Sequence, residues 1–455
     1  MTTTPFVASV ELWFDLEIDL WPLVMASLIG VSCGLLGTVF LVRRTALLGD
    51  AVSHSVLPGV AGGLLLSSFF VGHSEGSVFG ASTSMLFILA GALAAGLLST
   101  AMIEAFFRSS RIKEDTALGA VFPAFFAAGV ILINKTARDA HFDIDCVFYG
   151  ALENIDTAQQ VVPTIVSTVL VILFFTLAYK EILITSFDRG LSQNLGLRVG
   201  LVNRLLIALL AMAVVSAFEA VGAILVIAFL IVPPATATLL VDRFHRVLFL
   251  SAIFGLTAAF LGSWLTIVLG NVGLQTARAP SVAVVAGLQF LVAFTLSPKH
   301  GLIATSLRAR SLRQRILEEN LLGAVYRLEA LPGRDRIGLE EAARALDYAT
   351  SHLRGAATRS VRRGELVGSD DGRVRLTDVG RARVEEIIRA HRLWESYMFT
   401  EMGAAPDHVH DAADTIEHHL QPGLVRDLDE LLGSPEADPH GRTIPGSTSR
   451  GDATA

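Results

Sequence analysis

Up to about residue 297 the chain is a succession of apolar runs, each near twenty residues long, at roughly 22–42, 47–70, 81–107, 116–133, 161–179, 204–218, 220–240, 247–269 and 281–297. About 20 such residues, wound as a helix, cross a hydrocarbon core. The expected fold here is an all-α polytopic membrane domain of about eight or nine transmembrane helices. Composition agrees: the 455 residues are 52% hydrophobic and 17% charged, against roughly a quarter charged in soluble domains. The remainder is rich in Arg, Glu, Asp and His and reads as an aqueous region, so the net charge of −7 averages two different compartments. Cys33 and Cys146 make no disulfide framework. The first residues are acidic and lack a basic segment, so no cleavable signal peptide is expected.

Lys and Arg accumulate in cytoplasmic loops. Arg43 with Arg44, Arg108 with Arg111 and Lys113, Lys180 with Arg189 and Arg198, Arg243 with Arg246, and Lys299 with Arg308 and Arg310 fall on one side if the spans alternate. That places the C-terminal region in the cytoplasm of a cell-membrane protein. Nine spans put the N-terminus outside. Eight spans with an internal N-terminus stay open, because the pair of runs around Glu219 has no polar loop between them. Gly30, Gly34 and Gly37 in the first span, Pro58, Gly59, Gly62 and Gly63 in the second, and Pro233 with Pro234 in the seventh suit close packing around an enclosed path. A single-pass anchor needs none of them, so the pattern points to a transporter or channel.

Asp50 and His54 lie four apart inside an apolar run and share a helix face. Ionisable groups there are costly and face an interior or a pathway. They form either a structural pair or part of a divalent-metal site, for which carboxylate oxygen and imidazole nitrogen are suitable ligands. Glu219 is the other apolar-embedded acid, in the path or in a tight external turn. Residues 186–206 form the longest cytoplasmic connection, with Leu191, Leu195, Leu197 and Val199 among polar residues. This is either an interfacial helix or a dock for another protein.

"RRTALLGDAVSHSVLPGVAGG", "FYGALENI", "NLGLRVGLVNRLL" and "AVGAILVIAFLIVPPATATLL", in that order, resemble the permease subunits of ABC transporters that import manganese, zinc or iron. The resemblance covers most of residues 20–298. It implies a paired permease (homo- or heterodimer), a separate ATPase subunit and an extracytoplasmic metal-binding protein. It also implies that Asp50, His54 and Glu219 are metal-path residues and that Asn194, Leu195, Gly196, Leu197 and Arg198 lie in the ATPase coupling loop. No G-x-x-x-x-G-K-[ST] phosphate loop occurs, so this chain holds no ATP site and is expected to be a transport subunit with no catalytic residues.

Beyond Pro298, helix-period segments around residues 311–330 and 339–363 precede "LVGSDDGRVRLT", which alternates about an Asp-Gly turn and reads as a hairpin. Helices followed by a hairpin make a winged helix-turn-helix. Arg354, Arg359, Arg362 and Arg363 are candidate nucleic-acid contacts, or else solvate an exposed helix. Further on, His391 and Glu395 are at i and i+4, while His410, Asp414, Glu417 and His418 form one helical stripe.

"LTDVGR", "HRLWE", "VHDAADTIEHHL" and "PHGRTIP" resemble the iron- and manganese-dependent repressors related to the diphtheria toxin repressor. By that resemblance His391, Glu395 and His410 make one metal site, and Asp414, Glu417 and His418 the other. Asp414 stands where iron-type members carry sulfur, and hard oxygen favours Mn²⁺. The ligand of the first helix falls near Asn320, with Glu319 adjacent. The stretch "DYATSHLRGAATRSVRR" departs from the usual recognition helix, which counts against DNA reading.

The expected order is a permease domain at 1–298, a linker and winged helix-turn-helix at 299–376, metal-binding and dimerisation helices at 377–445, and a disordered tail at 446–455. The expected function is an ATP-driven Mn²⁺ importer permease with a cytoplasmic metal-sensing domain. Zn²⁺ or Fe²⁺ is the alternative cargo, and a membrane-tethered metal-dependent transcription regulator the alternative of another class. An intramembrane metalloprotease is weaker, for "TIEHHL" lacks the H-E-x-x-H spacing.

Overall fold

The computed structural model describes residues 15, 18–45, 55–71, 82–109, 114–136, 150, 152–368, 372–405, 409, 413, 416, 418, 420 and 422–446. It divides into two units, Met1–Thr305 and Ser306–Ala455.

The first unit is helical: α1 (Leu20–Val42), α2 (Leu57–Val71), α3 (Ser82–Ser109), α4 (Glu114–Thr136), α5 (Ala158–Leu177), α6 (Tyr179–Phe187), α7 (Arg189–Asn194), α8 (Val199–Leu240), α9 (Phe244–Asn271) and α10 (Arg278–Leu296). Among the described residues five helices are long and apolar enough to cross a membrane, and four shorter apolar ones accompany them. Exposed Val166 and Leu170 on α5, Phe260 on α9 and Leu288 on α10 form an apolar outer surface suited to lipid tails.

Small residues set how closely the helices approach. A Cβ built on Gly30 would meet the Gly255 carbonyl at 2.7 Å, and one on Gly34 the Ser251 carbonyl at 3.0 Å. Because the partner number falls as the α1 number rises, α1 and α9 are antiparallel. Gly262 meets Val282 and Gln289 donates to Thr257 at 3.1 Å, so α9 and α10 are antiparallel too. Hence α1 and α10 run parallel, and their C-terminal ends, Arg43 and Ser297, share one end of the bundle.

Helix α8 is longer than a span: 42 residues would reach about 63 Å if straight. Its beginning meets Arg43 through Asn203, and its end meets Ser297, whose hydroxyl donates to the Leu239 carbonyl. Both ends therefore lie at the same end of the bundle, and the chain doubles back between them. The reversal is at Gly222, with φ 71° and ψ 166°, a region essentially closed to residues with a Cβ. At the other end of the bundle, buried Asp19 pairs with Arg278, and Glu153 accepts the Arg278 backbone N–H at 2.6 Å. Glu153 belongs to a short 3₁₀ turn, Leu152–Asn154, and its neighbours Leu152 and Ile155 are buried.

The second unit carries α11 (Leu302–Glu329), β1 (Ile337–Gly338), α12 (Leu339–Leu346), α13 (Thr350–Arg362), β2 (Leu366–Gly368), β3 (Arg373–Leu376), α14 (Asp378–Thr400) and α15 (Pro422–Leu431). The three strands form an antiparallel sheet in the order β1-β3-β2. Leu321, Val325, Ile337, Leu353, Leu366, Val374 and Val384 make its core. Helix α11 begins at Leu302, and the division between the units falls after Thr305.

Candidate functional site

Asp50 and His54 lie outside the described residues. Glu219 is on helical backbone in α8, in the last turn before the reversal at Gly222. Residues 194–198 are described in full. Asp188 caps α7 by accepting the Leu191 N–H at 2.9 Å. The helix closes on Gly196 at φ 73°, with Gly196 N–H to the Gln193 carbonyl and Leu197 N–H to the Ser192 carbonyl, both 3.0 Å. These two bonds make a Schellman closure, which a left-handed glycine permits. The result is a short, well-terminated helix that leaves Leu191 and Leu195 exposed beside exposed Arg198, at the Arg43 end of the bundle. Apolar tips on a fixed turn suit docking.

In the second unit, α14 brings His391 Nε2 within 3.2 Å of Glu395, whose side chain is 1% exposed. His410, Asp414 and Glu417 lie outside the described residues. His418 is described and meets Glu319 of α11, Nδ1 to Oε2 at 2.7 Å. Arg315 and Arg383 hold the same Glu319 carboxylate at 2.9 Å and 2.8 Å. Burial alone would raise the Glu319 pKa, but the hydrogen bonds and charges of His418, Arg315 and Arg383 outweigh it and bring the group to about 2. A carboxylate so ionised only accepts, so Nδ1 of His418 is the donor in this contact.

Two residues that sequence reasoning passes over join Glu395. Ligand atoms of Glu395, Asp438 and His440 all lie within 4.8 Å of one another. The turn carrying them is closed by the Ala437–Thr443 bridge and by Asp438 Oδ1, which accepts the His440 and Arg442 N–H groups at 2.9 Å and 2.8 Å. Arg389 and Arg392 of α14 donate to the Pro445 and Thr443 carbonyls and hold the turn in place. The signal was present in "DPHG", a carboxylate and an imidazole two apart before a glycine, but nothing local ties it to Glu395. With His391 alongside, the donors are carboxylate and imidazole only, a set that fits Mn²⁺ or Fe²⁺.

Of the four arginines considered for nucleic acid, Arg359 pairs with Glu318 and Arg363 with the same carboxylate at 2.8 Å. Glu318 is buried, so both guanidinium groups are engaged by an internal carboxylate, although the Arg363 side chain stays exposed. Arg354, Arg362 and Arg363 are exposed.

The profile of the ABC 3 transport family matches residues 16–297. That of the iron dependent repressor, metal binding and dimerisation domain, matches residues 377–446. The manganese transport system membrane protein MntD of Bacillus subtilis is 34% identical over 314 residues, 66% of this chain and 99% of its own length. A probable metal transport system membrane protein of Chlamydia trachomatis is 28% identical over 445 residues, 94% of this chain and 96% of its own, and thus spans both units. Among solved structures, PsaBC from Streptococcus pneumoniae in complex with Fab aligns with TM-score 0.52 and 32% identity, covering 62% of this chain and 93% of that one.

Proposed function

Because the chain belongs to the ABC 3 transport family, we propose that it is the membrane-spanning permease of an ATP-driven divalent-metal importer whose cargo is Mn²⁺. The observation that carries this is the likeness to a manganese transport membrane protein over nearly that protein's whole length. Asp50, His54 and Glu219 line the metal path. The α7 turn with residues 194–198 receives the separate ATPase subunit, an external binding protein delivers the ion, and a second permease subunit completes the path. The parallel course of α1 and α10 supports an odd count of spans, nine, with the N-terminus outside and the second unit in the cytoplasm.

The second unit is a sensor of the imported ion. Its helix, strand and hairpin order supports a winged helix, but the pairing of Arg359 and Arg363 with Glu318 disfavours DNA as its partner. His391, Glu395, Asp438 and His440 would hold one ion, with His410 a further donor by resemblance, and Asp414, Glu417 and His418 a second. A bound cation supplies the positive charge that offsets Glu395 and Asp438 and ties α14 to the turn at 436–444.

The test is Mn²⁺ uptake by vesicles holding the permease and its ATPase. Asp50→Asn and His54→Ala each abolish uptake while assembly with the ATPase persists, since a lost ligand inside a span is not replaced by water. Normal uptake by the double mutant would overturn the path assignment. Truncation after Thr305 retains uptake and raises accumulation at high external Mn²⁺; equal accumulation at matched expression would remove the sensor reading.

A further inference from the structure

Helix α1 ends on an unusual construction. Arg44 has φ 59°, a left-handed conformation that glycine adopts freely and arginine seldom does. The Arg44 N–H reaches the Leu41 carbonyl and the Thr45 N–H the Phe40 carbonyl, at 3.0 Å and 2.9 Å, so the helix is closed at a fixed residue. Left-handed backbone at a residue with a Cβ costs roughly 1 kcal/mol and persists where its surroundings hold it.

The residue before it, Arg43, is anchored by its side chain. Its guanidinium donates from Nε to Ser186 Oγ at 3.0 Å, from Nη1 to Asn203 Oδ1 at 2.5 Å and from Nη2 to Thr185 Oγ1 at 2.9 Å. The two hydroxyls give their own hydrogens to α6 carbonyls, Thr185 to Glu181 at 2.6 Å and Ser186 to Ile182 at 2.5 Å. Their lone pairs are thus left for the arginine. A planar fork with fixed donors can serve three acceptors at once, which the compact ammonium of lysine does less well.

The placement of these acceptors gives the fork its meaning. Thr185 and Ser186 end α6, and Asn203 is in the first turns of α8. Between them lies the exposed α7 turn with residues 194–198. On the other side of Arg43, the chain leads within seven residues to Asp50.

We infer that Arg43 is the positioning residue that links the ATPase-docking segment to the C-terminal end of α1. The inference rests on the permease reading and adds the route by which docking reaches the first span. Displacement of the α6–α8 segment moves the end of α1 because one rigid side chain is bonded to both of its flanks.

The test is the ratio of Mn²⁺ transported to ATP hydrolysed by the full chain with its ATPase in vesicles. In Arg43→Gln, ATP hydrolysis continues and the ratio falls at least tenfold; Arg43→Lys, which keeps the charge and loses the fork, falls between. The Thr185→Ala, Asn203→Ala double variant leaves Arg43 in place, removes two acceptors and lowers the ratio too, and so serves if Arg43→Gln does not assemble. A wild-type ratio in an assembled Arg43→Gln complex, or in the double variant, overturns the inference. Absence of Mn²⁺ uptake by the wild type would overturn the permease reading instead.

Discussion

Glu319 and His418, 99 positions apart, meet through a 2.7 Å contact between Oε2 and Nδ1. Both side chains are nearly fully buried, at 5% and 6% exposure. The contact fixes α11 against the segment that carries the candidate ligands, and its charge state governs how firmly.

The Glu319 pKa of about 2 lies below its ordinary 4.5. A group depressed in the folded state adds stability above its unfolded pKa and loses it as pH falls through the folded one. Stability of the second unit is therefore expected to decline between about pH 4.5 and pH 2, by up to about 3 kcal/mol from this group. Unfolding followed by fluorescence over that range should show the decline in the wild type and a flatter profile in Glu319→Gln. Identical profiles would count against it.

His440→Ala removes an imidazole from the cluster with Glu395 and Asp438 without touching the Asp438 bonds that close the turn. Equilibrium dialysis of the full-length protein with Mn²⁺ should show one site weakened at least tenfold, about 1.4 kcal/mol or more, and the other unchanged. Two unaltered sites would exclude His440 as a ligand.

Arg359 and Arg363 are expected to matter for stability. Replacing both by alanine strands the buried Glu318 carboxylate and destabilises the second unit by about 1–3 kcal/mol, the exposure of both arginines holding the figure down. Chemical denaturation reads this directly. A folded, undiminished variant that loses retention on DNA would restore nucleic acid as the partner.

Gly37→Ala places a Cβ only 1.9 Å from the Leu230 carbonyl. The helices must part, which costs about 1–3 kcal/mol. A lowered melting temperature in detergent is the expected result, while Gly62→Ala, with open space at that position, serves as the neutral comparison.

The helices of both units were legible because apolar residues recur at spans of twenty or at helical period, and that signal is local. The pair i, i+4 at His391 and Glu395 was legible for the same reason. Sequence leaves the return of the chain at Gly222 open, since a turn whose one polar residue is Glu219 looks like continued helix. Asp438 and His440 escape a sequence reading because they are 43 and 45 positions from Glu395, in a turn that the arginines of α14 hold in place. The arginines at 359 and 363 read as free charge because sequence does not say which acid lies beneath them; Glu318 is 41 positions from Arg359.

The reversal at Gly222 bears on how the protein is made. Residues 199–217 and 224–240 are both apolar, and Glu219 is the one charged residue between them. A nascent chain cannot leave the first of these segments in the bilayer while the second waits outside, for there is no hydrophilic tether to bridge the delay. The two are therefore expected to enter as a hairpin, whose turn rests on the one residue type that adopts the Gly222 backbone freely. A residue with a Cβ at position 222 would strain that turn before the helices on either side have packed.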